Sequence, residues 1–485
     1  MVSSNERKFL PSQARWFLNP VLVVLALFLA SGSSAFAACH TVTSSGSGSN
    51  TGADWNNAYA GIPSSLVRGD IYYLADGTYP AFTFNTAASG TTTVEIRKAQ
   101  SYDNCTSTGW NTSTMGSAQA VFHRVFNVSA PYLILNGNGK QTAQGCGGAP
   151  GPTIAGAPPT PSDCGIKIDD TSCTSNCIGV VTVSSGPFTF EYVEFLGNSN
   201  PSANEDNFVF AGGSSPSTYK HIYGHNTGAV YFQYGCNQRT VEYSYFWGTE
   251  IQGATADGTH GQYSYCGNTD SNGVEANNVY RDITGTAVWT FAYPDNTHTG
   301  WVFYNNVIFN STSYTGGSLT LGWLSDGLIA CINSGSNCNN FTFAQNTIIN
   351  AGDSSGINNE NSGSYIVENN LWYGITHGSI SFNVGSGGSY TQNHNSFIAS
   401  GSSCPSGTGN VCDESGANPF VSWTTNNFNL ASDNNDENNR LALGSPFTVD
   451  VNGTAFTTDR GAYQYAGAGV GTGPNPPSGL TATVQ

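Results

Sequence analysis

A short phrase recurs along the second half of the chain: an Asn followed by a few apolar or aromatic residues. The copies are NNVYRDI at 277, NNVIFN at 305, QNTIIN at 345, NNLWYG at 369 and HNSFIA at 394. The intervals between the aligned asparagines fall within the roughly 20 to 50 residues of stacked repeat architectures. Each copy is a β-prone run flanked by Gly, Asn and Ser, without a helical apolar period. The repeat therefore predicts a coil of β-strands.

Length and composition agree with such a coil. A chain of 485 residues exceeds the size of a usual single core, whereas a solenoid grows by stacking rungs on a narrow continuous core. The 59 glycines indicate many tight turns, because Gly adopts positive φ at little cost. We expect the asparagines of the phrase, Asn278, Asn306, Asn346, Asn370 and Asn395, to be structural and to satisfy one another as ladders.

Residues 1–37 have the features of a secretory signal. Arg7, Lys8 and Arg15 precede the apolar run VLVVLALFLA, and small residues follow at Ala35 and Ala37. The apolar run is shorter than the 18 or so residues that span a bilayer, so we predict cleavage after Ala37 rather than a membrane anchor. The mature protein is then extracellular or periplasmic, in a bacterium, and has no membrane association.

All twelve cysteines lie in the mature region, an even number in an exported chain, which predicts disulfides. Neighbouring cysteines suggest one pairing among many. It joins Cys39 with Cys105, Cys146 with Cys164, Cys173 with Cys177, Cys236 with Cys266, Cys331 with Cys338, and Cys404 with Cys412.

The net charge of −17 makes nucleic acid an unexpected partner, because nucleic-acid binding needs clustered Lys and Arg. Removal of the signal makes the chain more negative still. Polyanionic glycans are disfavoured at long range, although salt screens that repulsion beyond about 8 to 10 Å. Extracellular polysaccharide, neutral or bridged by a cation, remains the expected partner.

Both ends of the mature chain resemble a known family. Asp54-Trp55, Gly69-Asp70 before an apolar strand, and DGTY from Asp76 to Tyr79 resemble the opening rungs of bacterial parallel β-helix proteins of the pectate-lyase-like superfamily. The segment from Arg440 to Tyr465 resembles their closing rung. The resemblance implies an all-β fold, a right-handed parallel β-helix with loop excursions, over residues 38–465, but hardly any particular reaction. Residues 466–485 form a Gly/Pro-rich linker with a short strand at Leu480–Val484.

Two stretches are expected to leave the coil as loops. Residues 141–177 are rich in Gly, Pro and Cys, and a second excursion runs from Ser311 to Asn340. Asp169 and Asp170 resemble the paired aspartates of polygalacturonases. Because they lie beside cysteines in the first excursion, we interpret them as loop residues.

The densest polar constellation lies between Gly248 and Trp289. It resembles a recurrent element of uncharacterised members of the same β-helix family, although Gln262 stands where an acid is often found. We predict the catalytic residues there. The candidates are Glu250, Asp257, His260, Tyr263 and Arg281, with Trp247, Asp270, Trp289 and Tyr293 as substrate-binding residues.

Two mechanisms fit this constellation. Glycoside hydrolysis needs two carboxylates, which Asp257 with Glu250 or Asp270 would supply. Eliminative cleavage of a uronate needs a base, His260 or Tyr263, and a cation on the carboxylate, either Arg281 or a bound Ca²⁺. Ca²⁺ is the only cofactor that the sequence suggests.

Aromatic residues beside the constellation favour a glycan, because flat rings cover the apolar face of a sugar, although many of them must form the core. The sequence thus predicts a secreted polysaccharide-binding protein that degrades its ligand as a lyase or hydrolase. The alternative is a non-catalytic structural or adhesive protein that self-associates through its C-terminal strand.

Overall fold

A computed structural model describes part of the chain. The described residues are 37–123, 126–139, 146, 164–169, 181–197, 207–211, 216–227, 230–234, 238–249, 260–264, 270–283, 285–292, 297–311, 323–332, 335–352, 354–376, 378–400, 404–433 and 437–465. By its contacts the chain divides into two units, Met1–Ala38 and Cys39–Gln485. All strands named below belong to the second unit. Within the described ranges, no helix combines the length and apolar character that crossing a bilayer requires.

Three long parallel sheets make up the fold, and each is given in its hydrogen-bonded order. Sheet I contains Tyr59–Ala60, Cys39–Thr43, Ile71–Leu74, Val94–Lys98, Leu133–Asn136, Phe188–Glu191, Ser217–Lys220, Arg239–Glu242, Val274–Ala276, Val302–Tyr304, Phe341–Ala344, Ser364–Glu368 and Ser389–Asn393. Sheet II contains Gly77–Tyr79, Ala120–His123, Ile166–Asp169, Val193–Leu196, Tyr223–Thr227, Tyr245–Thr249, Val279–Ile283, Val307–Phe309, Thr347–Ile349, Leu371–Tyr373, Ser396–Ile398 and Val411–Asp413.

Sheet III and a few small elements complete the fold. Sheet III contains Phe82–Phe84, Phe126–Val128, Val181–Val183, Asn207–Ala211, Val230–Tyr234, His260–Ser264, Gly285–Phe291, Trp323–Cys331, Ile357–Asn359 and Phe382–Val384. A three-stranded sheet joins Asp270–Ser271, Thr297–Thr299 and Asn337–Asn339, and an antiparallel pair joins Phe420–Ser422 and Asn427–Leu430. The helical turns are Trp55–Asn57, Thr112–Met115 and Trp423–Thr425.

Successive strands visit the three sheets in turn. One rung runs from Val274–Ala276 in sheet I to Val279–Ile283 in sheet II and Gly285–Phe291 in sheet III, and the next rung begins at Val302–Tyr304. Each strand pairs in parallel with the equivalent strands of the rungs before and after it. This confirms the predicted fold class, a right-handed parallel β-helix.

The core is the narrow interior of the coil. Side chains alternate between the two faces of a strand, and the inward positions of all three sheets form one continuous apolar cluster. Within it Phe190 of sheet I, Phe195 of sheet II and Phe126 of sheet III are each fully buried. Rungs at a strand spacing of about 4.8 Å therefore stack these rings along the axis.

The Asn ladder lies at the corner between sheets I and II. The backbone N–H of Asn278 donates to Asn306 Oδ1 at 3.0 Å, and the same bond links each following pair, Asn306 to Asn346, Asn346 to Asn370, and Asn370 to Asn395. All five asparagines are fully buried. The structural role predicted for the repeated phrase is confirmed.

Four predicted disulfides are present: Cys39–Cys105, Cys146–Cys164, Cys331–Cys338 and Cys404–Cys412. The other two predicted pairs, Cys173 with Cys177 and Cys236 with Cys266, lie outside the described residues.

The two predicted excursions are partly wrong. Ile166–Asp169 is a strand of sheet II, and Trp323–Cys331 is a strand of sheet III. Each is paired on both sides within the coil. The sequence around these strands is rich in Gly and Pro or in Cys, and was therefore interpreted as loop. The strands are stabilised by pairing with neighbouring rungs and not by local β-propensity.

A C-terminal segment packs on the outer face of sheet II. We call residues 420–433 and 437–465 the C-terminal cover. Phe428 lies 4.9 Å from Phe309, and Phe420 lies 5.8 Å from Tyr373, measured between ring centroids. The buried guanidinium of Arg460 donates to the Asn395 carbonyl at 2.9 Å. The cover thus buries the outer face of the C-terminal half of sheet II.

Candidate functional site

One corner residue in the left-handed region of backbone conformation determines which side chains of the following sheet II strand face outwards. Tyr192, His221, Tyr243 and Asn277 have φ of 55°, 52°, 52° and 58°, and each stands at the corner that leads from sheet I into sheet II. The second and fourth residues after it face outwards, because the third lies in the core cluster or, in one rung, is Gly224. The sequence therefore places two columns of side chains on the outer face.

Polar residues fill both columns in the N-terminal half of sheet II. Paired register aligns Lys167, Glu194, Tyr223 and Tyr245 in one column, and His123, Asp169, Leu196, His225, Trp247 and Arg281 in the other. We call these ten residues the sheet II strip. After Arg281 the second column continues with Phe309 and Ile349, which are buried and apolar.

A carboxylate and an imidazole are joined at the middle of the strip. Glu194 Oε1 lies 2.9 Å from His225 Nε2, and Glu194 Oε2 accepts a hydrogen bond from Gln119 Nε2 at 2.7 Å. Both side chains are nearly buried, with exposed fractions of 2% and 9%. The ring of Tyr223 stacks on that of His225, with centroids 4.2 Å apart. The imidazole is therefore fixed by a carboxylate at one nitrogen and by a ring on one face.

A second pair lies towards the N-terminal end of the strip. His123 Nδ1 is 2.8 Å from Asp169 Oδ1, and Lys167 Nζ is 3.5 Å from Asp169 Oδ2. The Asp169 carboxylate is buried, whereas the His123 side chain is 49% exposed. The interpretation of Asp169 as a loop residue is wrong, since it ends a strand and holds two basic side chains on the strip.

Arg281 lies between two aromatic rings at the other end of the strip. Its guanidinium carbon is 5.2 Å from the Trp247 ring centroid and 5.7 Å from that of Phe309. Asp282 Oδ2 accepts from Arg281 Nε at 3.1 Å and from Trp247 Nε1 at 3.2 Å. Burial lowers the pKa of Arg281, but the neighbouring Tyr245 and Asp282 outweigh burial and raise it. The guanidinium is a fixed positive charge.

Tyr245 brings a protonated phenol next to this charge. Its side chain is fully buried. Burial raises the pKa of Tyr245 to about 12, and the nearby Arg281 offsets only part of that effect. The phenol therefore keeps its proton at neutral pH and is available as a donor.

One buried polar atom on the strip, His225 Nδ1, has no hydrogen-bond partner in the described part of the chain. The phenol of Tyr245 and the guanidinium of Arg281 interact with each other beside it. The residues belong to three consecutive rungs. Buried polar atoms in folded proteins are nearly always hydrogen-bonded, so an exception calls for an explanation, such as strain, a catalytic role or a bound water or ion. An imidazole, a phenol and a guanidinium are thus aligned along one face.

The structure brings together only part of the predicted site. Trp247 and Arg281 are in contact on the strip. His260 and Tyr263 lie on a strand of sheet III, in register with Ala287 and Thr290, and Asp270 begins a strand of the small three-stranded sheet. The structure does not describe the side chains of these three residues. Glu250, Asp257 and Tyr293 lie outside the described residues altogether.

Trp289 is a core residue. Its side chain is fully buried, 5.0 Å from the Tyr280 ring and 4.9 Å from the Phe303 ring between centroids. The Trp289 ring lies in the interior of the coil and not on an outer face, so it cannot contact a sugar and we leave it out of the site. Glu275, another acid of the same constellation, also faces inwards, where it pairs with Arg239 at 3.5 Å and accepts from Tyr280 at 2.7 Å.

Five residues of the strip were not predicted from the sequence, namely Glu194, His225, Tyr223, Tyr245 and Lys167. A signal for them exists in the outward i, i+2 pairs of consecutive strands, such as Lys167 with Asp169 and Tyr223 with His225. These pairs become visible only when the strands are aligned on the left-handed corner residues. The Asn phrase does not extend into these rungs, where Tyr192, His221 and Tyr243 occupy the corner.

Among the described residues, no group of three or more His, Cys, Asp or Glu side chains is placed to hold a metal ion. Ca²⁺ therefore has no ligand set that can be named in this part of the chain.

Comparison with solved structures finds similar chains among polysaccharide lyases and a glycoside hydrolase. Pectate lyase Pel9A is 14% identical, with a TM-score of 0.48, over 88% of this chain and 96% of that chain. An alginate lyase from Paenibacillus sp. str. FPU-7 is 11% identical, with a TM-score of 0.36, over 78% and 96%. The GH136 lacto-N-biosidase from Eubacterium ramulus is 11% identical, with a TM-score of 0.33, over 78% and 68%. No protein-family model and no curated protein sequence matches the chain. At these identities the likeness concerns the fold alone.

Proposed function

We propose that this protein cleaves a uronate-containing polysaccharide by β-elimination, with the sheet II strip as its active site. The proposal depends above all on the alignment of His225, Tyr245 and Arg281 on consecutive rungs, with His225 Nδ1 left without a partner among the described residues. Elimination requires a base for the proton next to the carboxylate, a cation on that carboxylate and a proton donor for the leaving oxygen. The strip supplies one group of each kind.

Elimination fits the strip better than hydrolysis does. Hydrolysis needs one carboxyl group as acid and a second as base or nucleophile. Glu194 is held by His225 and Gln119, Asp169 by His123 and Lys167. Asp282 is likewise held by Arg281, Trp247 and Ser311. Each of these carboxylates therefore orients a neighbour, as the buried acid of a catalytic triad orients its histidine.

Arg281, His225 and Tyr245 each have a separate role in the reaction. Arg281 pairs with the substrate carboxylate and stabilises the negative charge that develops there. His225 Nδ1 takes the proton from C5, while Glu194 holds the ring through Nε2 and stabilises the imidazolium. The C4–O bond breaks as the C4–C5 double bond forms, and Tyr245 gives its proton to the departing oxygen. The products are a new chain end with a hydroxyl group and an unsaturated uronate.

We place this reaction outside the cytoplasm. Four disulfides link the described residues, and such bonds persist in oxidising compartments. Together with the predicted signal at residues 1–37, they support an extracellular or periplasmic enzyme whose substrate is a polymer too large to enter the cell intact.

The test is a screen of the purified protein on uronate polysaccharides such as pectate and alginate, and on neutral glycans, each with and without Ca²⁺. Ultraviolet absorbance of unsaturated products and the number of new reducing ends are measured together. We expect both to rise in parallel on a uronate polymer and to be lost in His225→Gln. New reducing ends without unsaturated product would show that the enzyme hydrolyses its substrate and does not act by elimination. If no glycan is cleaved, the proposed function is wrong.

The matched control is His40→Gln. His40 Nε2 lies 2.9 Å from Asp70 Oδ2, the same separation as in the His225–Glu194 pair, but His40 belongs to the first strand of sheet I. The control variant should retain wild-type activity. Equal losses in both variants would show that the histidine of the strip acts through folding and not through chemistry.

A further inference from the structure

The Cys146–Cys164 disulfide lies beside the centre of the sheet II strip. Both cysteines are fully buried and bonded to each other, and they belong to the same apolar cluster as Tyr223 and Tyr245. Cys146 Sγ is 3.3 Å from the carbonyl oxygen of His221, the corner residue that precedes the strand with Tyr223. The bridge therefore adjoins the groups to which we assign the reaction.

Gln119 joins this bridge to the Glu194–His225 pair. Its Nε2 donates to the Cys164 carbonyl at 2.9 Å and to Glu194 Oε2 at 2.7 Å. Glu194 Oε1 in turn lies 2.9 Å from His225 Nε2. A side-chain amide has two N–H groups, and both are used here, so these contacts fix the orientation of the amide. The bond to the carboxylate is charge-assisted and therefore strong. Three hydrogen bonds thus connect Cys164 with the imidazole.

The ring of Tyr223 provides a second connection between the bridge and the imidazole. It stacks on His225 with ring centroids 4.2 Å apart, and it is buried in the cluster that contains both cysteines. Interiors are close-packed, so a change at the bridge is transmitted to its neighbours. Loss of the bridge would therefore disturb the packing of Tyr223 as well as the acceptor for Gln119.

We infer that Gln119 and the Cys146–Cys164 disulfide are positioning elements of the active site, which hold Glu194 and Tyr223 against His225. This inference rests on the proposed function and adds residues that act through the base and do not touch the substrate. Loss of either element should slow the chemical step, because small displacements of a catalytic group are costly. KM should change little, since Arg281 still binds the substrate carboxylate.

The first experiment uses Gln119→Leu, which removes both hydrogen bonds of the amide. On the uronate polymer that the wild type cleaves, kcat should fall about fivefold or more, with KM within about twofold of the wild type. In a Glu194→Ala background the same substitution should have no further effect, because residues that act through one another are not additive. Gln392→Leu is the control. Gln392 Nε2 also donates to a carbonyl, that of Ser406 at 2.7 Å, but from the last strand of sheet I, and this variant should keep its kcat.

The second experiment removes the bridge by Cys146→Ser together with Cys164→Ser. We expect kcat to fall about tenfold or more, at a temperature at which near-ultraviolet circular dichroism shows a folded protein. The matched control is Cys331→Ser together with Cys338→Ser. That bridge is also buried, but it links sheet III to the small three-stranded sheet. Its removal should lower stability and leave kcat unchanged.

The outcomes separate the inference from the proposed function. An unchanged kcat in Gln119→Leu, an undiminished effect of that substitution in the Glu194→Ala background, or equal losses in the two double-cysteine variants would overturn the inference and leave the function intact. If the variant without the Cys146–Cys164 bridge does not fold, Gln119→Leu and its combination with Glu194→Ala still decide the inference. A wild type that cleaves no uronate polymer would overturn the function, and the inference with it.

Discussion

Glu194 Oε1 and His225 Nε2 lie 2.9 Å apart although 31 positions separate the two residues in the chain. The bond crosses from one rung of sheet II to the next, because Glu194 stands beside Tyr223 in register and His225 is two residues further along. The buried carboxylate thus orients the imidazole and leaves Nδ1 for chemistry.

Replacement of His225 by Gln should lower kcat by about 10²- to 10⁴-fold, the contribution typical of a general base. Glu194→Gln should lower kcat less. Steady-state kinetics of the wild type and both variants check this. A kcat of Glu194→Gln equal to that of the wild type would contradict the positioning role.

Tyr245→Phe should lower kcat about 100-fold or more, since it removes the proton donor for the leaving oxygen. Burial raises the pKa of Tyr245 to about 12, so the phenol remains largely protonated up to about pH 11. The wild-type profile should therefore lack a basic limb from this group in the neutral and mildly alkaline range. Tyr304→Phe, at a half-buried phenol on sheet I, is the control and should be neutral.

Arg281→Lys should reduce kcat/KM by about 10- to 100-fold, because an ammonium group cannot reproduce the planar fork that pairs with a carboxylate. Steady-state kinetics on a uronate oligosaccharide measure the change. Arg97→Lys, at an ion pair on sheet I with Glu95 and Asp103, should have no effect on turnover. A fully active Arg281→Lys variant would show that the reaction does not require the guanidinium group.

Asn346→Ala should lower the free energy of unfolding by about 3 to 5 kcal/mol, since it leaves several buried hydrogen-bonding groups without partners. Asn346 Oδ1 accepts from the backbone N–H and Nδ2 of Asn306, and Asn346 Nδ2 donates to Phe303 O. Urea unfolding followed by circular dichroism gives the change. Asn383→Ala, at an exposed position of sheet III, should cost less than about 0.5 kcal/mol.

Asp450 in the C-terminal cover should make the protein less stable as pH rises from 4 to 6. Burial raises the pKa of this carboxyl to about 6, although backbone N–H groups of Gln464, Thr454 and Asn452 oppose the shift. A carboxyl with a raised pKa contributes its full stability below the unfolded value of about 3.9, and that contribution is lost as pH rises through 6. The loss is about 3 kcal/mol.

Urea titrations at several pH values check this prediction by comparing the wild type with Asp450→Asn. The difference between the two proteins in free energy of unfolding should change between pH 4 and 6. The partly exposed Asp413 is the control position, and Asp413→Asn should follow the wild type. A difference that stays constant across this range would contradict the assigned pKa shift.

The fold was predictable because its main signal repeats in sequence. Asn278 to Asn395 occupy equivalent corners, and the hydrogen bonds that join them require the same side chain at each rung. The site was not predictable in this way. Its members come from separate rungs, and the bond between Glu194 and His225 depends on strand register, which is set by corner residues as different as Tyr192 and Asn277.

The C-terminal cover also constrains how long the coil can be. It bonds to Asn305 through the Val449 carbonyl, to Asn369 through Leu441, and to Asn395 through Arg460. Those three residues lie on different rungs, so insertion or loss of one rung between them would shift the contacts by about 4.8 Å. The ladder by itself would accept any number of copies. The cover therefore fixes the number of rungs between its contacts. A duplication in this region would preserve the fold only if the closing segment changed with it.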